Sequence, residues 1–483
     1  MTKKTMNPFL PLGEYIPDGE PHVFGDRVYL YGSHDMACST RFCVQDYTVW
    51  SASVNDLSEW KCHGVSYRKS QDPRSVNGKL VDFYAPDCVR GNDGRYYLYY
   101  FAAGPDTKAF GPMSVAVSDR PEGPFEYLGD IRYPDGQPVL KYLTNDPAVI
   151  NDNSRIWLYY GWGLGRDFRS VILRPLYDCV LSKLCNRTLR EIRNTHPSIL
   201  SCAVVELEDD MVTVKSEPKA VLDSKTTAGK NTELYHHAFY EAASIRKFNG
   251  LYYLIYSSGE NNELAYATSN YPDRDFQYRG VIISNSDLGY KGNTSPRNNS
   301  GTIHGSIERI NGEYYVFYHR CTNNTDYSRQ ACAERITINE DGTIQQVEMT
   351  TSGICGKSLK GTGSYPASIC CNLTTVKPIK MGIGKQQTLP RITEENGIQY
   401  LADLTAGTAV IYKYFDLSET ACVSITARGK GILKVMGSDI PIDSDEYQKY
   451  TCPISGSEKE AFTMTVISGR INITLLEFDG RRT

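Results

Sequence analysis

Acidic side chains recur at one position of a repeated hairpin in this chain of 483 residues. Asp18, Asp146 and Glu241 each precede a short apolar strand, a tight turn and an aromatic-rich strand, and Asp87 and His304 precede two further hairpins of the same kind. Two carboxyl groups on opposite sides of a bond can act as general acid and general base. Hydrolysis of a glycosidic bond with inversion needs them about 6.5–9.5 Å apart. A third carboxylate beside the acid raises its pKa and keeps it protonated near neutral pH.

The spacing within the hairpins indicates which of these side chains are equivalent. The number of residues from the leading residue to an apolar position of the second strand is 12 for Asp18–Leu30, Asp146–Leu158 and His304–Val316, 13 for Glu241–Leu254 and 11 for Asp87–Leu98. The offset of Asp87 predicts that its side chain turns away from the direction of the others. An acid or a histidine before a single hairpin is ordinarily a turn residue or a structural residue. Its recurrence in register through the repeat is what predicts a site.

The repeat itself predicts an all-β fold, and five copies of it predict a five-bladed β-propeller. Gly, Asn and Asp in the turns suit tight hairpins, and two further strands after several copies bring each unit to about four strands, the size of one blade. The five hairpins are DGEPHVFGDRVYLYGS from Asp18, APDCVRGNDGRYYLYYFA from Ala85, DPAVINDNSRIWLYYGW from Asp146, EAASIRKFNGLYYLIYSS from Glu241 and HGSIERINGEYYVFYHR from His304. Because the innermost strands of a propeller surround one axis, we expect the leading side chains to converge.

The sequence changes character at two places. The stretch from Leu176 to Leu200 predicts a short helical insertion within the third blade. Around residues 350–365 a Gly-, Ser- and Thr-rich linker begins, and the strand-like runs after it predict a β-sandwich. We therefore predict a propeller catalytic domain over residues 1–352 and a C-terminal β-sandwich over 353–483.

Composition excludes several classes of partner. A net charge of −4 and a pI near 6.1 give no basic footprint for nucleic acid, and no apolar run reaches the length of a membrane span. The N-terminus has no signal-peptide h-region, so we expect a cytoplasmic, bacterial-type protein. The fourteen cysteines are irregularly spaced and are predicted to be buried free thiols. The oligomeric state is not predicted.

The first 350 residues resemble glycoside hydrolase family 43, whose members are five-bladed propellers that act with inversion. The resemblance rests on PDGEPHVFGDRVYLYGSHD, YAPD, NDP, the hairpin led by Glu241 and IHGSIERINGEYYVFYHR, in that order. It implies that Asp18 is the general base, Asp146 the residue that orients the acid and modulates its pKa, and Glu241 the general acid. The family usually has Asp-Pro at the base, whereas here Gly19 follows Asp18 and Glu20 precedes Pro21. Matching on proline would therefore nominate Glu20, and matching on the ungapped hairpin nominates Asp18, the residue preferred here.

The same resemblance nominates residues around the sugar. His304 matches a family histidine near a bound calcium ion. The resemblance thus admits a structural calcium in the axis, held by His304 through water, and no cofactor is required for the reaction. The residues expected to bind substrate are His34, Asp35, Tyr84, Trp162, His304 and Arg320. Arg320 is the strongest of these, because a guanidinium donates paired hydrogen bonds to sugar hydroxyls.

The expected activity is an inverting exo-glycosidase that removes terminal pentoses from plant-type oligosaccharides, an α-L-arabinofuranosidase or a β-xylosidase. A β-galactofuranosidase of the same fold, a non-catalytic carbohydrate-binding scaffold and a retaining sucrose- or fructan-cleaving propeller are the alternatives. The C-terminal segment is similar to carbohydrate-binding modules of family 6 through runs such as TAVIYKYFDL. That resemblance leaves open whether the module binds sugar or braces the propeller.

Overall fold

The protein is described by a computed structural model that covers residues 6–104, 111–163, 174–184, 188–195, 200–259, 262–298, 301–376 and 390–480. Five small antiparallel sheets follow one another along the chain and form the five-bladed propeller, and a larger sheet-rich domain follows them. The predicted all-β architecture is confirmed. No helix in these ranges is long and apolar enough to cross a bilayer.

Each of the first four blades contains four strands in chain order, as the hairpin and its two following strands predict. The strands of blades one and two are β1 (Glu20–Phe24), β2 (Arg27–Tyr31), β3 (Tyr47–Ser53), β4 (Asp56–Tyr67), β5 (Asp82–Arg90), β6 (Tyr96–Ala103), β7 (Ser114–Ser118) and β8 (Glu126–Asp130). Those of blades three and four are β9 (Ala148–Asp152), β10 (Arg155–Gly161), β11 (Ser201–Leu207), β12 (Lys219–Asp223), β13 (Phe239–Phe248), β14 (Leu251–Ser258), β15 (Glu263–Ser269) and β16 (Gln277–Ser284).

The third blade carries the predicted helical insertion between β10 and β11. It contains α1 (Arg174–Leu184) and α2 (Leu189–Thr195), and α3 (Glu233–His236) follows later, just before β13. Residues 185–187 and 196–199 of the insertion lie outside the described residues.

Blade five differs from the prediction because only three strands form its sheet in the described part of the chain. These are β17 (Ser306–Ile310), β18 (Glu313–Cys321) and β19 (Arg329–Ile336). The N-terminal segment lies along β19 instead of a fourth strand. The Phe9 amide donates to the carbonyl of Ala331, and the Ala333 amide donates to the side chain of Asn7. The two ends of the propeller chain therefore meet in this blade, where they close the ring.

The many tyrosines of the sequence serve mainly as packing between blades. Between blades one and two, for example, the ring of Phe83 lies 4.9 Å from that of Tyr47 and 5.2 Å from that of Tyr67, measured between centroids. All three side chains are buried. Aromatic side chains bury large areas and suit the flat faces of stacked sheets, so the blades pack face to face around the axis.

The C-terminal domain is a β-sandwich whose strands connect into one nine-stranded sheet. Its strands are β20 (Leu359–Lys360), β21 (Gly363–Pro366), β22 (Asn372–Thr374), β23 (Arg391–Glu395), β24 (Ile398–Thr405), β25 (Ala409–Asp416), β26 (Thr420–Val435), β27 (Ser438–Pro453) and β28 (Glu460–Gly480). The last propeller strand ends at Ile336 and β20 begins at Leu359. The proposed boundary at residues 352 and 353 lies between them.

We predict that Asn7→Ala destabilises the protein, because Asn7 joins the two ends of the propeller. Its amide nitrogen lies within hydrogen-bond distance of Ala333 O, Glu334 Oε1 and Thr350 O, and its oxygen accepts from the Ala333 amide. Loss of the side chain leaves buried polar groups unpaired, at a cost of about 1–3 kcal/mol. A shift of the urea unfolding midpoint would measure the loss.

The matched control for this prediction is Asn92→Ala. Asn92 also donates to a backbone carbonyl, that of Ser154, but it is exposed, so water can replace its bonds. Equal midpoints for the two variants would contradict a closing role for Asn7.

Candidate active site

The predicted acids meet at one end of the propeller axis. A cavity of about 400 Å³ opens there, and Asp18, Asp146 and Glu241 all line it, together with His304. Each lies at or just before the start of an innermost strand, or, for Glu241, early in β13. Asp18 and Asp146 both have positive φ, 57° and 46°, a conformation that Asp tolerates better than most residues. The shared backbone conformation matches the shared register that the sequence predicts.

Asp18 is held in its ionised form by a buried arginine. Arg329 Nη1 donates to Asp18 Oδ1 at 2.8 Å, and both side chains are buried. Burial raises the pKa of the Asp18 carboxyl, but the charge of the nearby Arg329 outweighs it and leaves the pKa below its usual value. Asp18 is therefore a carboxylate at neutral pH, as a general base must be.

His319 orients Asp18 without contributing a charge. Burial and the neighbouring Arg329 lower the pKa of His319 to about 3. Its Nε2 donates to the carbonyl of Thr302 at 2.9 Å, so its Nδ1 is free to accept from the Asp18 amide at 3.4 Å.

Asp146 and Glu241 have the opposite electrostatic character. Burial, the dominant cause, raises the pKa of each to about 7. The negative charge of Asp18 contributes to the raised pKa of both, and that of Glu241 contributes to the raised pKa of Asp146. Asp146 Oδ2 accepts a hydrogen bond from the Ala242 amide at 2.9 Å, which ties it to the residue next to Glu241. The cavity thus contains one ionised carboxylate and two carboxyls that retain protons to about neutral pH.

Aromatic side chains form the walls of the cavity. Tyr84 and Trp162 line it, as the sequence predicts, and Phe42, Phe101 and Tyr240 do so as well. The Trp162 side chain hydrogen-bonds to Glu241. The position of Trp162 depends on the next residue, Gly163. A Cβ atom at Gly163 would lie 2.3 Å from the carbonyl oxygen of Phe239, so a larger residue would push the backbone away. Rings around a few polar groups are the surface that a sugar ring needs.

Three predicted substrate-binding residues lie outside this cavity. The Arg320 guanidinium is buried against the C-terminal domain, where Nη1 donates to the carbonyl of Cys370 and Nε and Nη2 donate to Gln330. Asp35 is fully buried behind Arg329, to which its carboxylate is paired at 2.8 Å. His34 contacts the carbonyl of Asp46 at 2.8 Å. None of the three lines the cavity, so their role in binding substrate stays a prediction.

Arg329 is the important residue that the sequence analysis missed. Strand alternation contains the signal for it. His319 faces Asp18, so Arg320 must face the other way, and Arg329 pairs with Cys321, which shares the face of His319. No turn or hairpin motif marks Arg329, so the motif search passed over it.

Glu20, the competing candidate for the base, does not line the cavity. Its carboxylate lies further along the axis, where Arg246 Nη2 donates to Oε2 at 2.8 Å. Asp87 is also turned away, as its offset predicts, and contacts His22 Nε2 at 2.6 Å. The geometry favours Asp18 as the member of the catalytic group.

The fold and the three-carboxyl cavity define a propeller enzyme of acid–base chemistry. Residues 7–344 match the family model for glycosyl hydrolases family 43, and the chain belongs to that family. It is therefore a glycoside hydrolase rather than a non-catalytic scaffold. The matched range does not extend over the C-terminal domain, whose likeness to carbohydrate-binding family 6 stays a prediction.

Several relatives share most of the chain. A xylosidase/arabinosidase of Thermoclostridium stercorarium is 40% identical over 458 residues, which cover 91% of this chain and 89% of that protein. A β-D-galactofuranosidase of Aspergillus niger is 25% identical over 74% of this chain and 88% of its own length. A solved β-xylosidase/α-arabinofuranosidase from a compost metagenome, in complex with xylotriose and calcium-free, is 27% identical with a TM-score of 0.53 and covers 72% of this chain and 98% of its own.

We predict a bell-shaped dependence of kcat/KM on pH. With Asp18 as the predicted base and Glu241 as the predicted acid, the active form has Asp18 ionised and Glu241 protonated. Activity therefore rises with pH through the pKa of Asp18, which lies below its usual value, and falls as Glu241 loses its proton near pH 7. Arg329→Gln removes the largest effect that opposes the burial of Asp18, so the acidic limb moves to higher pH. Initial rates on a neutral glycoside across pH measure both limbs.

The control is Arg155→Gln, which removes an exposed arginine paired with Glu206 in blade three and should leave both limbs in place. An acidic limb that does not move in Arg329→Gln would mean that the group titrating there is not Asp18.

Proposed function

We propose that this protein is an inverting exo-glycosidase that releases terminal pentoses, a β-xylosidase or α-L-arabinofuranosidase, from plant-type oligosaccharides. The observation that carries the proposal is the pairing of one ionised carboxylate, Asp18, with the protonated Glu241 in one aromatic-walled cavity. A volume of about 400 Å³ is at the lower end of the range of about 300–1,000 Å³ for ligand sites. It suits the end of a sugar chain better than a long internal stretch. The similarity to xylosidase/arabinosidases supports the sugar class.

In the proposed mechanism each carboxyl has one role. Asp18 removes a proton from a water molecule, and the oxygen of that water attacks the anomeric carbon. The bond from that carbon to the glycosidic oxygen breaks as Glu241 donates its proton to that oxygen. Asp146, fixed by the Ala242 amide, orients the segment that carries Glu241, and burial together with the negative charge of Asp18 keeps the pKa of Glu241 high. The product has the opposite anomeric configuration.

A structural calcium ion in the axis is part of the proposal. Glu20 Oε1 is buried and has no hydrogen-bond partner among the described residues, and it lies 4.0 Å from His304 Nε2. Calcium takes six to eight oxygen ligands, of which these two side chains would supply few, so water would supply most of the shell. Arg246, bonded to the other oxygen of Glu20, opposes tight binding of a cation. The ion would hold His304 in place and takes no part in the proton transfers.

A β-galactofuranosidase is the second candidate activity, favoured by the similarity to the Aspergillus niger enzyme.

We also propose a cytoplasmic location. All thirteen cysteines within the described residues are free thiols, the state that a reducing compartment maintains.

Activity on a panel of glycosides tests the substrate class. We expect turnover of nitrophenyl β-D-xyloside or α-L-arabinofuranoside, with β-D-galactofuranoside and α-L-arabinopyranoside as comparisons. Glu241→Gln should lower kcat by about 10²–10⁴-fold on xylobiose or arabinobiose. The loss should be smaller on the nitrophenyl sugar, because nitrophenolate leaves with little help from an acid. NMR of the first product distinguishes inversion from retention.

If Glu241→Gln lowered kcat equally on the disaccharide and on the nitrophenyl glycoside, Glu241 would not be the general acid. A product of retained configuration would contradict the inverting mechanism. Preference for the galactofuranoside would favour the second candidate.

We predict that Asp18→Asn loses about 10²–10⁴-fold in turnover whereas Glu20→Gln keeps near-normal turnover. Asp18 lines the cavity and Glu20 does not. Because Glu20 is buried beside Arg246, the rate of each variant is divided by its folded fraction, measured by circular dichroism. The reverse pattern would show that Glu20, the residue before proline, is the base.

A further inference from the structure

Among the contacts between the C-terminal domain and the propeller is one made by a buried tyrosine, Tyr15, near the catalytic end. The hydroxyl of Tyr15 donates to Glu394 Oε2 at 2.7 Å and accepts from Gln399 Nε2 at 2.9 Å. Glu394 is on β23 and Gln399 on β24, the first hairpin after residue 390. Gln399 also donates to the carbonyl of Leu12 at 2.8 Å. Tyr15 is only 2% exposed, so both sides of its hydroxyl are satisfied by the other domain.

The backbone of the same tyrosine holds the partner of Arg329. The Asp35 amide donates to the Tyr15 carbonyl at 2.9 Å. The Asp35 carboxylate accepts from Arg329 Nε at 2.8 Å and from Nη2 at 3.1 Å, and it also accepts from the Arg329 amide at 3.2 Å. The remaining terminal nitrogen of Arg329 donates to Asp18. A continuous series of short contacts thus leads from β23 and β24 to the general base.

A second contact reaches Arg329 from the other side. The Asn323 amide donates to the carbonyl of Ile392 on β23 at 2.7 Å. Asn323 belongs to the loop between β18 and β19, and this loop closes on itself where Thr322 donates to the carbonyl of Ser328. Ser328 is the residue before Arg329. The hairpin of the C-terminal domain therefore contacts Tyr15, whose carbonyl accepts from the Asp35 amide, and it also contacts the loop that leads into β19.

We propose that the C-terminal domain acts as part of the catalytic machinery, with Tyr15 as the positioning residue through which its first hairpin sets Arg329 against Asp18. The proposal rests on the role of Asp18 as general base stated above. Acid–base catalysis depends on placement, and a misplacement of about 1 Å can cost about 10²-fold in rate. The Arg329 guanidinium pairs with the Asp18 carboxylate and is hydrogen-bonded to the Asp35 carboxylate at the same time, so its function depends on accurate placement.

Tyr15→Phe is the most direct test, because it removes only the hydroxyl and keeps the ring. We expect kcat to fall by about 5- to 50-fold, less than a full 1 Å misplacement would cost, with KM little changed. The acidic limb of the kcat/KM profile should move to higher pH, in the direction expected for Arg329→Gln but by less. Glu394→Gln and Gln399→Met, made in the other domain, should shift it the same way. Combined with Tyr15→Phe they should add little, because all three share one set of contacts.

The matched control is Tyr365→Phe. Tyr365 is in the C-terminal domain and donates to the carbonyl of Lys360 at 2.9 Å, and none of the contacts above includes it. Its loss should leave kcat and both limbs unchanged. A Tyr15→Phe variant that melts at a lower temperature but keeps the wild-type kcat and acidic limb would overturn the proposal and leave the domain as a brace.

Hydrogen–deuterium exchange separates this proposal from the proposed function. In Tyr15→Phe, peptides that cover residues 33–43 and 322–330 should exchange faster than in the wild type, whether or not the right substrate is known. Unchanged exchange in both segments would overturn the proposal. Wild-type inactivity on every glycoside, with faster exchange in the variant, would count against the proposed substrate alone.

Discussion

The ion pair between Arg329 and Asp18 is the interaction on which the site depends. A carboxylate taken out of water stays charged only if an opposite charge and hydrogen bonds replace the lost solvation. Arg329 provides these for Asp18 and is itself neutralised by Asp35 from behind. Without the arginine the three cavity carboxyls would all be driven toward the protonated state, and none could accept a proton from water. The asymmetry between base and acid is thus produced by a single guanidinium placed beside one of three similar groups.

The propeller fold explains why Asp18 needs a buried arginine to stay ionised. Five hairpins that begin around one axis bring their leading side chains together, and three of these are acids in one cavity. Proximity raises the pKa of whichever group lacks a cation, and this is the state of Asp146 and Glu241. The fold therefore favours the protonated form of Glu241 mainly by burial, and the convergence of the acids adds to this effect. Arg329, from the third strand of blade five, is what keeps Asp18 ionised.

The hairpin repeat was sufficient to predict the architecture and the three acids, because a period and a register are local properties of a sequence. Asp18 and Asp146 share a spacing, and they share a backbone conformation in the structure. Arg320 and Asp35, which the sequence analysis expects to bind substrate, do not line the cavity. Whether a polar residue faces the cavity depends on strand alternation and on contacts with a second domain. The carbonyl of Cys370, which receives Arg320, is 50 residues away along the chain. Arg329 lacks a turn or repeat motif altogether, and only its pairing with Cys321 places it.

The charged residues further along the axis are arranged as in the catalytic cavity, with several acids around one buried arginine. Glu20 and Glu308 both contact Arg246, and Asp87 is paired with His22. His304 lies between the two groups, with Nδ1 3.9 Å from Asp18 and Nε2 4.0 Å from Glu20. Each level of the axis therefore combines several acids with one buried arginine, and a histidine separates the levels. Burial raises the pKa of Glu20 to about 7 despite Arg246. His304 lines the cavity and lies within 4.0 Å of both Asp18 and Glu20, so the two groups of buried charges meet at one side chain.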